Sequence, residues 1–515
     1  MPRSLDSTPW QLIVALLAGL MMPLAHAPFA ISPLAILSLA ALFILWTRVT
    51  VRRALLLGYV YGAGMFGAGV SWVFVSIYGH GGVPLLLSVV LTVMFVLFLA
   101  LFPAVVGAAC AALVRGAPPQ VFAYILILAP AALWVLGEWV RGWLLTGFPW
   151  LVTGYSQIDT PLSGLAPLLG VYGVSLAVGL SAATLSLLSW PHLRRQRPAL
   201  IMMAIVAATW ALGMVAGSYQ WGEASGDPVR VSLVQGNISQ DVKWLPAIRE
   251  LTLERYVTMT RQQPDSQLIV WPETAIPAYY HEARPFLDWM HANLVPEGGA
   301  ILTGLIYKEP GSGAYYNTVL GLGSTEQFYH KHHLVPFTEY LPLKGVLGSL
   351  IDVMDVPMSD FSAGAVTQRP LAVAGQHIGV SICFEDAFGE EGIRQLPEAT
   401  LLVNVSNDAW FDRSAAPQQH LQMARMRALE TARPLLRATN TGMTAIIDAR
   451  GRLQQVAPQF AEAVLSGEIQ PRQGATPYVI MGNYPAVTGA GLMLALVVVL
   501  RRRGRTQSPA DSPSC

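Results

Sequence analysis

The chain has 515 residues, 53% of them hydrophobic and 12% charged, with a mean hydropathy of +0.47. A soluble domain carries about 25% charge, so most of this chain is built for a membrane, and a net charge of +1 leaves no electrostatic footprint for nucleic acid. Of the three cysteines, Cys110 lies in an apolar run and Cys515 is the last residue; neither looks like a partner for Cys383, which argues against a disulfide framework.

In chain order, seven apolar spans precede residue 220, at 9–27, 30–47, 54–77, 83–113, 120–140, 164–190 and 199–217. An eighth covers 485–500. Each approaches the ~20 residues that a spanning helix needs. The first does not read as a cleaved signal, because a second span follows almost at once with no clear small-residue cleavage site between them. Basic residues follow span two (Arg48, Arg52, Arg53), span four (Arg115), span six (His192, Arg194, Arg195, Arg197) and span eight (Arg501, Arg502, Arg503, Arg505). All of them fall on one side if the N-terminus is cytoplasmic, and the positive-inside rule then places 218–484 outside the cytoplasm. The expected organisation is a membrane domain over 1–217, an extracytoplasmic domain over 218–484, a last span with a basic end over 485–503, and a disordered tail over 504–515.

At the outer end of span five, "GFPWLVTGYSQ" (147–157) offers Trp150 and Tyr155 to a lipid interface. Glu138 and Arg141 nearby read either as an ion pair or as headgroup contacts. Within 218–484, the Val/Ile/Leu-rich runs 229–235, 267–273, 300–307, 377–383, 399–406 and 444–450 read as strands. Residues 247–263 and 418–433 read as helices from their apolar spacing. Strand and helix alternate, which predicts a layered α/β sandwich. The apolar loop 342–361 faces water in this frame, so Leu350, Ile351, Met354 and Met358 are expected either to dip into lipid and gate its entry or to pack within the domain.

Three strand ends carry chemistry: Glu273 in "IVWPETAIP", Lys331 among three histidines in "YHKHHLVPFTEYLP", and Cys383 in "SICFED". Taken singly, each has an ordinary alternative: an acid at a helix N-terminus, a surface lysine, an inert buried cysteine. A free thiol in an oxidising space is exposed to damage, so its presence suggests a use. Taken together, they form an acyl-transfer set. A thiol becomes a good nucleophile only as thiolate, a carboxylate can take its proton, and a lysine can stabilise the oxyanion of a tetrahedral intermediate. The backbone N–H of Phe384 could supply a second oxyanion donor. The histidines at 281, 291, 330, 332, 333 and 420 show no trustworthy ligand spacing, so neither a metal nor another cofactor is expected.

The three motifs, in this order, resemble the Glu-Lys-Cys triad of the nitrilase superfamily, and "NVSNDAWF" (404–411) is similar to that superfamily as well. With seven spans before the domain and one after, and with "LTGFPWLVTGYSQ" (145–157), "QGNISQDVKW" (235–244) and "GNYPA" (482–486), the chain resembles the superfamily's membrane branch, the apolipoprotein N-acyltransferases, over nearly its whole length. The resemblance implies about eight membrane helices and an αββα sandwich on the periplasmic side of a bacterial inner membrane. It implies transfer of an acyl chain from a phospholipid, through a Cys383 thioester, to the α-amino group of a lipoprotein's diacylglyceryl-cysteine. By the same carry-over Glu273 is the base, Lys331 the oxyanion donor, Cys383 the nucleophile, Glu339 and Glu385 supporting acids, and Trp244 an aromatic near the substrate entrance. The family often has Tyr where Phe384 stands, so a hydroxyl role there is lost. Two rival readings are a membrane-tethered amidase acting on a small amide and a non-catalytic lipid or lipoprotein binder.

Overall fold

The computed structural model describes residues 8–193, 196–340 and 360–506. Leu350, Ile351, Met354 and Met358, of the loop expected to gate lipid entry or to pack within the domain, and the tail beyond 506 lie outside these residues. The chain divides into two compact units, Met1–Ser71 with Val89–Tyr219 and Met481–Cys515, and Trp72–Ser88 with Gln220–Ile480. The segment 72–88, which takes in the end of the third predicted span and the start of the fourth, thus groups with the α/β unit.

The first unit is helical: α1 (Thr8–Leu24), α2 (Pro33–Trp46), α3 (Val51–Gly69), α5 (Leu85–Val114), α6 (Phe122–Arg141), α7 (Ala166–Ser186), α8 (Arg197–Ser218) and a final helix Tyr484–Thr506; α4 (Val73–Val75) is a short turn in the second unit. Every predicted span coincides with helix. Among the described residues, five helices can cross a membrane by length and composition, and α3 with Val73–His80 makes a sixth if that bent pair is one span. Apolar α1 and α2 are shorter, at 17 and 14 residues. The structure overturns one expectation here. Trp150 and Tyr155, offered to a lipid interface, are each only 2% exposed. The reason is local: Phe148 stacks on Trp150 at 5.8 Å, and Arg141 donates to the carbonyls of Phe148 and Trp150, folding 148–150 inward. Glu138 accepts from the N–H and hydroxyl of Thr153 at 2.7 and 2.6 Å, so both charged groups brace this loop.

The second unit holds fourteen described strands: β1 (Glu223–Ala224), β2 (Val229–Gln235), β3 (Leu268–Val270), β4 (Ala300–Lys308), β5 (Tyr315–Leu322), β6 (Glu326–His330), β7 (Leu371–Val373), β8 (Gln376–Ile382), β9 (Leu401–Ser406), β10 (Leu435–Thr439), β11 (Ala445–Ile447), β12 (Leu453–Val456), β13 (Ala463–Ile469) and β14 (Arg472–Gln473). Two six-stranded sheets, β13-β2-β3-β4-β5-β6 and β12-β11-β10-β9-β8-β7, share one apolar core. In it Val231, Leu233, Val270 and Leu302 of one sheet meet Val380, Ile382, Val403 and Val405 of the other. Helices α9 (Pro246–Arg261) and α10 (Tyr280–Asn293) cover the outer face of the first sheet through Tyr256, Leu287 and Met290. Helix Ala416–Thr431 covers the second through Leu421, Ala424 and Ala428. The layers are therefore αββα, and strands covered on both faces explain the continuous apolar runs. The inner strands β2-β3-β4 and β8-β9-β10 run parallel, so their carboxyl ends open at one edge, where α/β sheets place ligands.

Candidate active site

The three predicted groups all lie at strand carboxyl ends. Pro272 has no N–H to continue a ladder, so β3 stops at Val270, three residues short of the predicted end, and Glu273 leaves the sheet. Trp271 anchors that exit: it is fully buried, stacked on Tyr256 at 4.9 Å, and its indole N–H bonds the Thr260 hydroxyl at 2.9 Å. Lys331 follows β6 directly, and Cys383 follows β8 directly.

Each side chain is then held. Glu273 accepts from the Asn317 amide at Oε1 (2.7 Å) and from the backbone N–H of Asn407 at Oε2 (2.8 Å). Lys331 is 1% exposed. Its ammonium contacts both Glu339 oxygens at 2.9 Å and lies 4.0 Å from Glu273 Oε1. Burial pulls the Lys331 amine down, but Glu339 and Glu273 outweigh it and hold the group above its ordinary value. Glu339 also accepts from the Val335 N–H and from Asn317, so it ties the lysine loop to Glu273.

Cys383 is half-buried and begins a tight turn (Cys383–Ala387) with φ at +52°. A left-handed φ is costly for a residue with a Cβ and survives only where the surroundings enforce it. Here they do, since the Cys383 carbonyl accepts from Asn404 at 3.3 Å and from the His420 ring at 3.1 Å. Burial pushes the thiol well above its ordinary value, the Glu273 charge adds to this, and Lys331 offsets only part of it. The resting sulfur therefore carries its proton, and the site needs a base rather than a preformed thiolate.

Glu385 sits at the centre of the frame. Oε1 accepts from the N–H groups of His332 and His333, while Oε2 accepts from the Ile382 N–H and the Tyr329 hydroxyl. It thereby joins the lysine loop to the cysteine turn. Burial pushes its carboxyl up to about 7 against the pull of Lys331 and these donors. Phe384 packs edge-on against Phe388 at 4.9 Å and near His333 at 5.7 Å, so a ring contact stands where a hydroxyl was in question. Trp244 is half-buried, and its indole N–H has no partner among the described residues. The histidines take separate partners: His330 the Thr318 hydroxyl, His332 the Gly364 carbonyl, His333 Glu391.

Sequence reasoning passed over several residues of this site. Asn317 carries no signal in the sequence. Lys243, one residue before Trp244, is 2% exposed and donates to the Glu273 carbonyl (3.2 Å) and the Thr274 hydroxyl (2.7 Å). Asp386, Asp408, His420 and Arg437 form a buried charged cluster behind the cysteine turn. In the sequence Asp386 and Asp408 stand in "SICFED" and "NVSNDAWF" and His420 among the histidines, but nothing there joins them to Arg437.

An αββα sandwich with Glu, Lys and Cys at one edge defines a class, and residues 230–478 match the family model described as carbon-nitrogen hydrolase. Residues 18–184 match the model of the apolipoprotein N-acyltransferase N-terminal domain. The chain is 46% identical over 493 residues to the apolipoprotein N-acyltransferase of Methylococcus capsulatus, covering 96% of each chain. It is 45% identical to that of Nitrosomonas europaea over 94% of this chain and 96% of the relative, and 39% identical to that of Vibrio parahaemolyticus over 95% and 97%. The chain belongs to the apolipoprotein N-acyltransferase family.

Proposed function

We propose that the chain takes an acyl chain from a membrane phospholipid, holds it as a thioester on Cys383, and passes it to the α-amino group of the diacylglyceryl-cysteine of an apolipoprotein. In the first half, Cys383 Sγ attacks the ester carbonyl while Glu273 accepts the thiol proton. The oxyanion faces Lys331. Collapse breaks the ester C–O bond, and Glu273 returns the proton to the departing lysophospholipid oxygen. In the second half, the neutral amine attacks the thioester, Glu273 takes a proton from it, the C–S bond breaks, and the thiol is restored. A covalent intermediate splits one hard transfer into two easier ones.

The observation that carries this reading is the setting of Cys383. It is a protonated thiol on a strained turn, in the field of a lysine held charged by Glu339 and of a carboxylate held by two N–H donors. A binder would have no need of that arrangement. The basic residues Arg48, Arg52, Arg53, Arg115 and Arg501–Arg503 support an orientation with the α/β unit on the periplasmic side, and the family's bacterial members support an inner-membrane location.

The test is intact-protein mass spectrometry of enzyme purified from membranes, with and without neutral hydroxylamine, beside Cys383→Ser. An acyl-sized adduct on the wild type that hydroxylamine removes and Cys383→Ser lacks supports the thioester. Added diacylated lipopeptide should discharge it onto the peptide amine. Wild type that stays unmodified after incubation with phospholipid overturns the reading, and turnover of small amides would then favour an amidase.

A further inference from the structure

Four ionisable side chains are packed behind the cysteine turn with almost no exposure: Arg437 (0%), Asp408 (1%), His420 (2%) and Asp386 (4%). Burying charge is expensive, and well-packed apolar residues often hold a core equally well. The cluster's connections indicate what it is for. Asp386 lies three residues after Cys383 in the same turn. Asp408 follows Asn407, whose N–H holds Glu273 Oε2 at 2.8 Å. Arg437 reaches both: Nη1 donates to Asp386 Oδ2 at 3.1 Å, and Nη2 donates to Asp408 Oδ2 at 3.1 Å.

The remaining contacts stiffen the same bridge. Arg437 Nη1 also donates to Asn404 Oδ1, and the Asn404 amide donates to the Cys383 carbonyl. The His420 ring spans Asp386 at 2.6 Å, Asp408 at 3.4 Å and the Cys383 carbonyl at 3.1 Å. Ser406 donates to Asp408 at 2.9 Å. Glycine 442 leaves Asp408 its seat, since a Cβ there would lie 2.3 Å from Oδ2. The nucleophile is on β8's exit and the base on β3's exit, in different sheets. The 383–387 turn and the 407–411 loop leave neighbouring strands β8 and β9, and the Arg437 bridge extends their link beyond the last paired residues, Ile382 and Val405.

We infer that Arg437 is a positioning residue: through Asp386 and Asp408 it locks the nucleophile's turn to the loop that holds the base, so that Cys383 and Glu273 move as one unit. A planar fork with donors on both edges suits this, whereas a lysine's single ammonium cannot reach both carboxylates in the same geometry. The inference rests on reading Cys383 as nucleophile and Glu273 as its base.

The test uses the full-length enzyme in detergent and the rate of Cys383 alkylation by iodoacetamide from pH 6 to pH 10, which needs no lipid substrate. Asp408→Asn keeps the shape and cuts the base-side arm, Asp386→Asn cuts the nucleophile-side arm, and Arg437→Lys keeps the buried charge. Each should lower neutral-pH alkylation and the acyl-transfer kcat by about 100-fold with KM little changed, the scale of a misplacement of roughly 1 Å. The alkylation loss should narrow steadily toward pH 10, as hydroxide takes over from Glu273; a purely structural role would lower the melting temperature and leave the pH profile in place. Alkylation and kcat within about threefold of wild type in Asp408→Asn or Arg437→Lys overturn the inference. If the wild type itself shows no base-assisted reactivity near neutral pH, the nucleophile–base reading falls instead.

Discussion

Glu339→Gln is the sharpest test of how Lys331 is held. The substitution keeps the side chain's size and its acceptor toward the Val335 N–H, but removes the charge that both carboxylate oxygens bring to Lys331 at 2.9 Å. At an effective dielectric of about 20, that attraction is of the order of 6 kcal/mol, and the remaining one to Glu273, 4.0 Å away, of the order of 4. Lys331 is 1% exposed, so solvent cannot replace the lost partner. Removing one member of a buried pair costs about 3–5 kcal/mol. The ammonium is then drawn toward Glu273, which both mispositions the proposed oxyanion donor and makes the proposed base less basic. Loss of one well-placed oxyanion donor costs about 10²–10³ in rate, and the same range is expected here. The assay is single-turnover formation of the acyl-enzyme, followed by quench and mass spectrometry, with thermal unfolding measured in parallel. Acylation within about threefold of wild type would refute the view that Glu339 sets the Lys331 geometry.

Three further outcomes are expected. Gly304→Ala places a Cβ 2.2 Å from the Thr274 nitrogen and 2.7 Å from Glu273 Cα, both backbone atoms that cannot yield cheaply; acylation should fall by about 10²-fold with the displaced base, and a normal rate would show that the base's position is not so exacting. Lys243 is pushed down to about 8, first by burial, with Glu273 opposing. The folded state therefore binds fewer protons than the unfolded one between that value and an ordinary lysine's ~10.4, and wild type should gain on Lys243→Met by about 3 kcal/mol as pH rises through this window; parallel melting curves across it would contradict this. Glu385, pushed up to about 7, has the opposite sign: its contribution is present below an ordinary glutamate's ~4.3 and lost as pH rises to about 7, so wild type should lose a similar amount relative to Glu385→Gln over that window in paired unfolding measurements.

The apolar helices and the placing of Glu273, Lys331 and Cys383 at strand ends were legible in the sequence, because each is written locally. A span needs only a run of apolar residues, and a strand end shows where β-branched residues give way to Pro272, Lys331 or Cys383. The order of the motifs was enough to bring out the resemblance to a family. Strands β5, β6, β7, β10, β12 and β13 and helix α10 were not read, and the lipid-interface expectation for Trp150 failed because Arg141 turns its loop inward. The supporting frame was the least visible part. Asn317, Lys243, Asp386, Asp408, His420 and Arg437 are ordinary polar residues in sequence, and they acquire meaning only when two sheets bring strand ends together around Glu273 and Cys383. The sequence by itself placed Glu273, Lys331 and Cys383 at strand ends and suggested their proposed roles. Their orientation, their protonation and the partners that keep them apart or together were decided by the tertiary structure, because burial and hydrogen bonding depend on neighbours far away along the chain.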